Sequence, residues 1–359
     1  MPATSTRRAV LLPAAVFAIL CSLGAVSWLV GPAIRRARPP AFVEEEMVYF
    51  PSGQFLGEVS AGQRELVADF LWLRAIQYYG AHRQTDRQYV WARHIFRVIT
   101  TLSPRFVEAY RFGALVLATD AMEIEEGFDL LKRGMHLNPT RWELPFDLGF
   151  LYSLNGREAL AAGYFERARV LPGAPEQAKR FAAFALRRSG DEESARAMWV
   201  ELRDSATNPA SREIADYALR SMALDAALES IEASVPAYRA ALGTAPRSVE
   251  DLVARGDLDA APRDPFGRGF LIDPETGAVH SLFRVEETLS RTLSTVRQTV
   301  LLFRQREGAF PAALDDLLAR GYMTMIHLPE GFSLRYDAST GEVTPVAPRL
   351  FEAALGGVT

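Results

Sequence analysis

The residues best equipped for chemistry are few and scattered. The five histidines, His82, His94, His136, His280 and His327, form no His-x-x-x-His pair that would put two imidazoles on one helix face. The single thiol, Cys21, excludes an intramolecular disulfide, a cysteine-based zinc site and an iron–sulfur cluster. No phosphate-binding glycine loop and no Gly-x-Ser-x-Gly nucleophile turn is present. The acid pairs Glu286-Glu287 and Asp315-Asp316 sit beside arginines in helical stretches, where solvated faces account for them. Asp264 and Asp273 flank predicted loops, but Ca²⁺ takes about six to eight oxygens and two carboxylates fall short. The expectation is therefore no catalytic residue, no metal, no cofactor and no enzyme.

Binding must then rest on architecture, and composition limits the partners. In 359 residues, 49% are hydrophobic and 23% charged, as in ordinary folded chains, and the net charge of −4 argues against a nucleic-acid binder. The charge is uneven. Residues 1–43 hold Arg7, Arg8, Arg35, Arg36 and Arg38 and no acid, so the remainder is distinctly acidic.

Residues 9–34 carry no charge, and as a helix they exceed the hydrocarbon core of about 30 Å. They predict a transmembrane anchor within residues 1–38, although cleavage as a signal peptide near Ala25-Val26-Ser27 remains open. Leu20 stands where a lipidation signal before Cys21 would want a small residue. Arginines flank both ends almost equally, and the short N-terminal tail tilts the orientation towards amino terminus inside and bulk outside. Residues 39–68 read as linker and entry segment, with Pro39-Pro40, Glu44-Glu45-Glu46 and the turn signal Pro51-Ser52-Gly53.

The middle of the chain repeats itself. Ala92, Gly127, Ala161 and Ala195 follow one another by 35, 34 and 34 residues, and Phe96, Leu131, Phe165 and Trp199 keep the same spacing. So do Ile99, Gly134, Ala168 and Leu202; Gly80, Ala114, Gly149 and Ala183 recur upstream, and Pro104, Pro139, Pro172 and Pro209 close the units. Small residues let two helix backbones approach, a bulky one fills the seam, and proline ends the second helix.

These residues resemble the tetratricopeptide repeat, most clearly in Leu148-Gly149, Tyr152, Ala161, Phe165, Ala168 and Pro172, with Pro145 where a Trp is usual. The second copy carries one extra residue between its helices, and the first and fourth keep part of the pattern. The resemblance implies a mainly α protein with four helical hairpins over residues 69–210, stacked as a superhelix. It also implies a partner-binding groove lined by Arg74, Gln77, Glu108, Arg111, Leu115, Glu143, Phe146, Phe150, Gln177, Arg180, Phe184 and Arg187. Arginines beside phenylalanines suit a protein or peptide with apolar anchors and an acidic group. The competing reading leaves these residues solvated or covered by the protein's own helices.

A second, longer repeat follows a predicted helix over residues 212–242. Tyr238, Gly243, Pro246, Leu252 and Gly256 recur 65 residues later as Phe303, Gly308, Pro311, Leu317 and Gly321. Asp273, Gly277 and Val279 recur 64 later as Asp337, Gly341 and Val343. Each unit reads as a long helix, a Gly-x-x-Pro break, a short helix, a loop and a β-hairpin. Two small α+β modules are expected, over residues 211–288 and 289–359.

Gly308-Ala309-Phe310-Pro311 and Asp264-Pro265-Phe266-Gly267 resemble the soluble part of type II secretion pseudopilins and type IV pilins. The helix does not begin in a membrane and no prepilin peptidase site is present, so the resemblance implies contact with such a machine rather than a filament subunit. A small module reused for packing remains the other reading. The order of anchor, repeats and paired modules also resembles uncharacterised membrane-anchored repeat proteins of bacteria, including the run Asp69-Phe70-Leu71-Trp72-Leu73-Arg74-Ala75-Ile76-Gln77-Tyr78-Tyr79-Gly80.

The leading expectation is a single-pass inner-membrane protein with a periplasmic soluble part, whose groove docks a protein during assembly of a pilus or secretion complex. A cytoplasm-facing adaptor that tethers a soluble partner or serves a transporter is the alternative, and sidedness separates the two. An enzyme would need a polar pocket of convergent titratable groups, which nothing in the sequence indicates.

Overall fold

Glycines, prolines and short polar turns cut the chain into helices of modest length, and small residues decide where those helices touch. The computed structural model describes residues 53–60 and 62–355. The predicted anchor at residues 9–34 lies outside them, as does the linker up to Ser52. Among the described residues no helix is long and apolar enough to cross a membrane. The protein is mainly helical, with two small two-stranded sheets near its C-terminal end.

The chain divides into two compact units between Asp191 and Glu192, inside the fourth predicted repeat. The first unit holds α1 (Gly53–Val59), α2 (Arg64–Gln84), α3 (Ala92–Leu102), α4 (Val107–Leu115) and α5 (Ile124–Leu137). It ends with α6 (Glu143–Leu154), α7 (Glu158–Arg169) and α8 (Glu176–Arg188). Consecutive helices pack as hairpins, α2 on α3, α4 on α5 and α6 on α7, and each hairpin leans on the next.

The repeated positions are the contact positions. Ala92, Phe96, Ile99, Leu131, Ala161, Phe165 and Ala168 are all buried. A Cβ on Gly127 would stand 2.8 Å from the Ala114 carbonyl oxygen, and one on Gly149 3.0 Å from the Phe165 ring. Glycine is what allows those backbones to meet. Gly80 departs from the pattern, since nothing lies within 4 Å of its Cβ position and the buried small residues of α2 are Ala68 and Ala75. The extra residue of the second repeat is absorbed in a π turn, Val116–Asp120, that continues α4. There the Ala121 N–H donates to the Val116 carbonyl, five residues back, at 2.9 Å.

The second unit begins with α9 (Glu192–Ser205), which packs on the 34-residue α10 (Pro209–Leu242). Pro209 is the first residue of α10, where a missing N–H costs nothing, and the Asn208 side chain accepts from the Ala210 N–H at 2.9 Å. The first module adds α11 (Val249–Arg255), β1 (Phe270–Ile272) and β2 (Val279–Ser281). The second consists of α12 (Leu282–Glu307), α13 (Asp315–Ala319), β3 (Ser333–Asp337), β4 (Glu342–Val346) and α14 (Arg349–Glu352).

The duplication read in the sequence is also a duplication of contacts. Gly243 and Gly308 end their long helices at φ of 71° and 82°. Leu252 and Leu317 are fully buried, in cores built on Ile231 and Val235 in the first module and on Val296 and Val300 in the second. Ile272 pairs with Val279 and Tyr336 with Val343 in the two antiparallel hairpins. In the hairpin turns the Asp273 carboxylate accepts from the Glu275 N–H and the Asp337 carboxylate from the Ser339 N–H, both at 2.8 Å. The Arg255 guanidinium lies 5.5 Å from the Tyr238 ring centre, and that of Arg320 lies 5.2 Å from Phe303. Each of these pairs is separated by 64 or 65 residues, the period found in the sequence.

Candidate partner-binding groove

Helices α4, α6 and α8 supply most of one concave surface within the first unit; α8 leans on α7, and the fourth hairpin expected from the sequence is not formed as such, because α9 packs on α10 instead. The concavity encloses about 420 Å³ and is mainly apolar. Six of the predicted residues line it: Glu108, Arg111, Leu115, Phe146, Phe150 and Gln177. Phe146 forms its floor, with ring centres 5.3 Å from Phe165 and 5.3 Å from Phe181. Leu115 and Phe150 stand at its mouth, each large, apolar and exposed.

Polar atoms edge the groove on one side. Arg111 donates from Nε and Nη2 to the two Asp147 carboxylate oxygens at 2.5 and 3.4 Å, and from Nη1 to Glu108 at 3.2 Å. Burial pushes the Asp147 carboxyl above the usual carboxylate range, and the Arg111 guanidinium pulls back without cancelling it. Arg111 is itself raised: burial lowers it, but the hydrogen bond and charge of Asp147 outweigh the loss of solvent. The guanidinium expected to receive an acidic ligand group is thus already engaged. One cation and two carboxylates line the groove, so its edge is net acidic.

The other predicted residues do not line this concavity. Arg74 and Gln77 lie on α2. Glu143 opens α6 and accepts from Arg141 at 2.8 and 3.2 Å, a contact that holds its carboxyl below the usual range. Arg180, Phe184 and Arg187 lie on α8, Phe184 exposed and the two arginines half-buried.

Five further residues line the groove: Phe112, Leu131, Asp147, Leu151 and Phe181. Phe112, Asp147, Leu151 and Phe181 each directly follow a predicted residue. A helix advances about 100° per residue, so one apolar stripe and its neighbour can both face a wide groove. The i, i+4 spacing of Gln177 and Phe181 and of Asp147 and Leu151 was the signal available for this second stripe.

Other titratable groups have local structural partners. His82 is buried and its Nδ1 lies 2.6 Å from Asp86, within a ring cluster with Tyr78 and Tyr89. The Asp264 carboxylate accepts from the Phe266, Arg268 and Gly269 amides, and Asp273 from the Glu275 amide and the Thr276 hydroxyl. Both acids therefore shape their own loops. Among the described residues no group of three or more His, Cys, Asp and Glu side chains is arranged to hold a metal ion. No protein-family model matches the chain, and no curated protein matches it either.

Proposed function

We propose that this chain is a membrane-anchored docking scaffold of the tetratricopeptide type, whose groove takes a segment of a partner protein. The observation that carries the reading is the aromatic floor of Phe146 and Phe181 beneath an open mouth of Leu115 and Phe150, stacked hairpins holding the whole in place. A cavity of this size fits one or two apolar side chains of a bound peptide. Because Arg111 is engaged by Asp147 and Glu108, the partner's flanking charge should be basic rather than acidic. The residue 9–34 anchor would hold the groove at the inner membrane with the soluble part in the periplasm. The duplicated pilin-like modules are what favour a pilus or secretion complex as the machine served.

Selection of short displayed peptides against the full chain in detergent tests the groove. The expected winners carry a Leu or aromatic anchor with a neighbouring Lys or Arg, and lose binding to the Leu115→Asp and Phe150→Glu variants at unchanged helicity. Peptides that bind those variants as tightly as the parent chain would remove the groove assignment. Sidedness is read separately, from labelling of a Ser339→Cys, Cys21→Ser chain by an impermeant maleimide in intact and lysed cells. Ser339 lies in the exposed β3–β4 turn. Labelling only after lysis would place the groove in the cytoplasm.

A further inference from the structure

The N-terminal part of α10 and the loop before β1 form another concavity, within the second unit, of about 370 Å³. Its aromatic side is fixed. Phe266 stacks on Phe283 with ring centres 3.7 Å apart and planes 3° from parallel, and Tyr217 meets Phe266 at 5.6 Å. The Tyr217 hydroxyl donates to Glu287 at 2.6 Å, and the three amides held by Asp264 pin the loop that carries Phe266. Rings held in this way lose little freedom when a ligand covers them.

The other side is charged. Arg212, Glu213, Asp216 and Arg220 share one face of α10 with Tyr217, at i, i+1, i+4 and i+8. Arg212 is committed, donating to the Ala206 carbonyl at 2.9 Å. The side chains of Glu213, Asp216 and Arg220 make no hydrogen bond or ion pair with another of the described residues. Asp216 and Arg220 stand at the acid-before-base i, i+4 spacing that favours pairing along a helix, yet they do not pair. Two carboxylates and one guanidinium therefore line the concavity without a partner of their own.

The second module is the natural comparison. It repeats the fold 65 residues later, with Leu282 in place of Tyr217 and the buried Val285 in place of Arg220. The residues 64 and 65 after Phe266 are Glu330 and Gly331. Helix α12 begins at Leu282, so the part of α10 that holds Arg212, Glu213 and Asp216 has no helical counterpart. The module fold does not require these residues, and the concavity is particular to the first copy.

We propose that this concavity binds a free basic amino acid of the arginine or lysine type. Such a ligand carries two cations and one carboxylate, the complement of Glu213, Asp216 and Arg220. Along the helix axis Asp216 and Glu213 stand about 6 and 10 Å from Arg220, distances that an extended basic amino acid bridges. Its carboxylate pairs with Arg220, and its α-ammonium and side-chain cation take the two acids. Its methylene chain lies on Phe266 and Tyr217, where a cation also gains from the ring faces. The concavity is at the small end of ligand pockets and holds one such molecule. None of the groove residues takes part, so the test is independent of the groove reading.

Ligand-observed saturation-transfer NMR on the full chain in detergent, with calorimetric titration for the affinity, tests it with L-arginine as the probe. L-Arginine should bind with a Kd of about 1 mM or below. Asp216→Asn and Arg220→Gln should each weaken it about fivefold to tenfold at unchanged helicity, the loss of one solvent-screened charge pair. Agmatine, which lacks the carboxylate, should bind the parent chain more weakly than L-arginine does, and should bind parent and Arg220→Gln alike. No transfer to L-arginine at about 10 mM would overturn the proposal. Nα-acetyl-L-arginine binding as tightly as L-arginine would show that the α-ammonium is not read, and would assign the site to the carboxyl end of a peptide instead. Binding that survives both variants but is lost in Leu115→Asp would move the ligand to the groove of the first unit, which also overturns the assignment.

Discussion

Arg111 on α4 and Asp147 on α6, thirty-six residues apart, meet through two nitrogen–oxygen contacts of 2.5 and 3.4 Å. This pair ties the first helix of one hairpin to the first helix of the next, at the edge of the candidate groove. It has two consequences. The hairpin stack gains a polar fastening beside its aromatic floor, and the groove loses its only lining cation as a receptor for acidic ligands.

Breaking the fastening should be measurable as a coupling. A double-mutant cycle of Arg111→Met and Asp147→Asn should return about 1–3 kcal/mol, at the lower end because a third of the Arg111 side chain stays in solvent. Denaturant midpoints of the four chains give the value. Additive effects within about 0.3 kcal/mol would mean that the pair fastens nothing.

The same acid should shape the pH response. Burial raises the folded-state pKa of Asp147 above its ordinary value of 3.8, so the folded chain holds that proton more tightly than the unfolded chain does. The contribution of this group to stability therefore falls as pH rises from 3.8 through the raised value, and it is recovered on acidification. Asp147→Asn should remove this component from a stability-against-pH curve. An identical curve for parent and variant would show that Asp147 titrates alike in both states.

Glycine replacements should separate contact positions from free ones. At Gly127 a Cβ would meet a backbone oxygen at 2.8 Å and the Ala118 Cβ at 3.1 Å, so Gly127→Ala should destabilise by about 1–3 kcal/mol. At the exposed Gly163, inside α7, nothing lies within 4 Å, and Gly163→Ala should stabilise by about 0.5–1 kcal/mol. Thermal midpoints moving the same way in both would contradict the packing described here.

Those two glycines also mark what was legible in advance. Gly127 was readable because small residues recur at fixed offsets wherever two helix backbones must approach. The Gly243 and Gly308 breaks were readable because a left-handed residue ends a helix cleanly. Gly80 fitted the period but makes no close contact, and the small residues that α2 buries are Ala68 and Ala75 instead. The Arg111–Asp147 pair was not readable. Which acid an arginine meets depends on how adjacent hairpins are set against each other, and periodicity along one chain carries no such distance. Phe181 was missed for a related reason: a single register was carried along α8, whereas the groove is wide enough to admit the adjacent stripe.

The duplicated modules invite a test by transplanting one copy's detail into the other. In the first, Asp251 accepts from the Arg247 and Ser248 amides while the Ser248 hydroxyl accepts from the Asp251 amide, a complete capping box. In the second, Asp316 accepts from the Ala312 and Ala313 amides, but Ala313 has no hydroxyl to return the bond. Asp316→Ala should cost about 0.5–2 kcal/mol, and Ala313→Ser should stabilise by several tenths to about 1 kcal/mol. Ala313 is exposed, so the added oxygen meets no steric penalty. A loss of stability in Ala313→Ser would show that the two short helices begin differently.

The mouth of the groove and its floor can be distinguished by two phenylalanines, one on α6 and one on α8. Phe181 on α8 packs on Phe146 and Phe165 with ring centres at 5.3 and 5.4 Å, so Phe181→Ala should lower stability by about 2–3 kcal/mol. Phe150 on α6 is exposed, with Phe181 nearest at 6.4 Å, and Phe150→Ala should cost less than about 1 kcal/mol. Ligand binding should depend on the mouth as well as on the floor. If the mouth of the groove grips an apolar anchor, Phe150→Ala should weaken a selected peptide about tenfold or more, the loss expected of a desolvated aromatic contact. Parallel urea titrations and peptide-binding isotherms separate the two effects. Peptide affinity within about twofold of the parent in Phe150→Ala would mean that Phe150 is merely an exposed ring and that the partner docks on another surface.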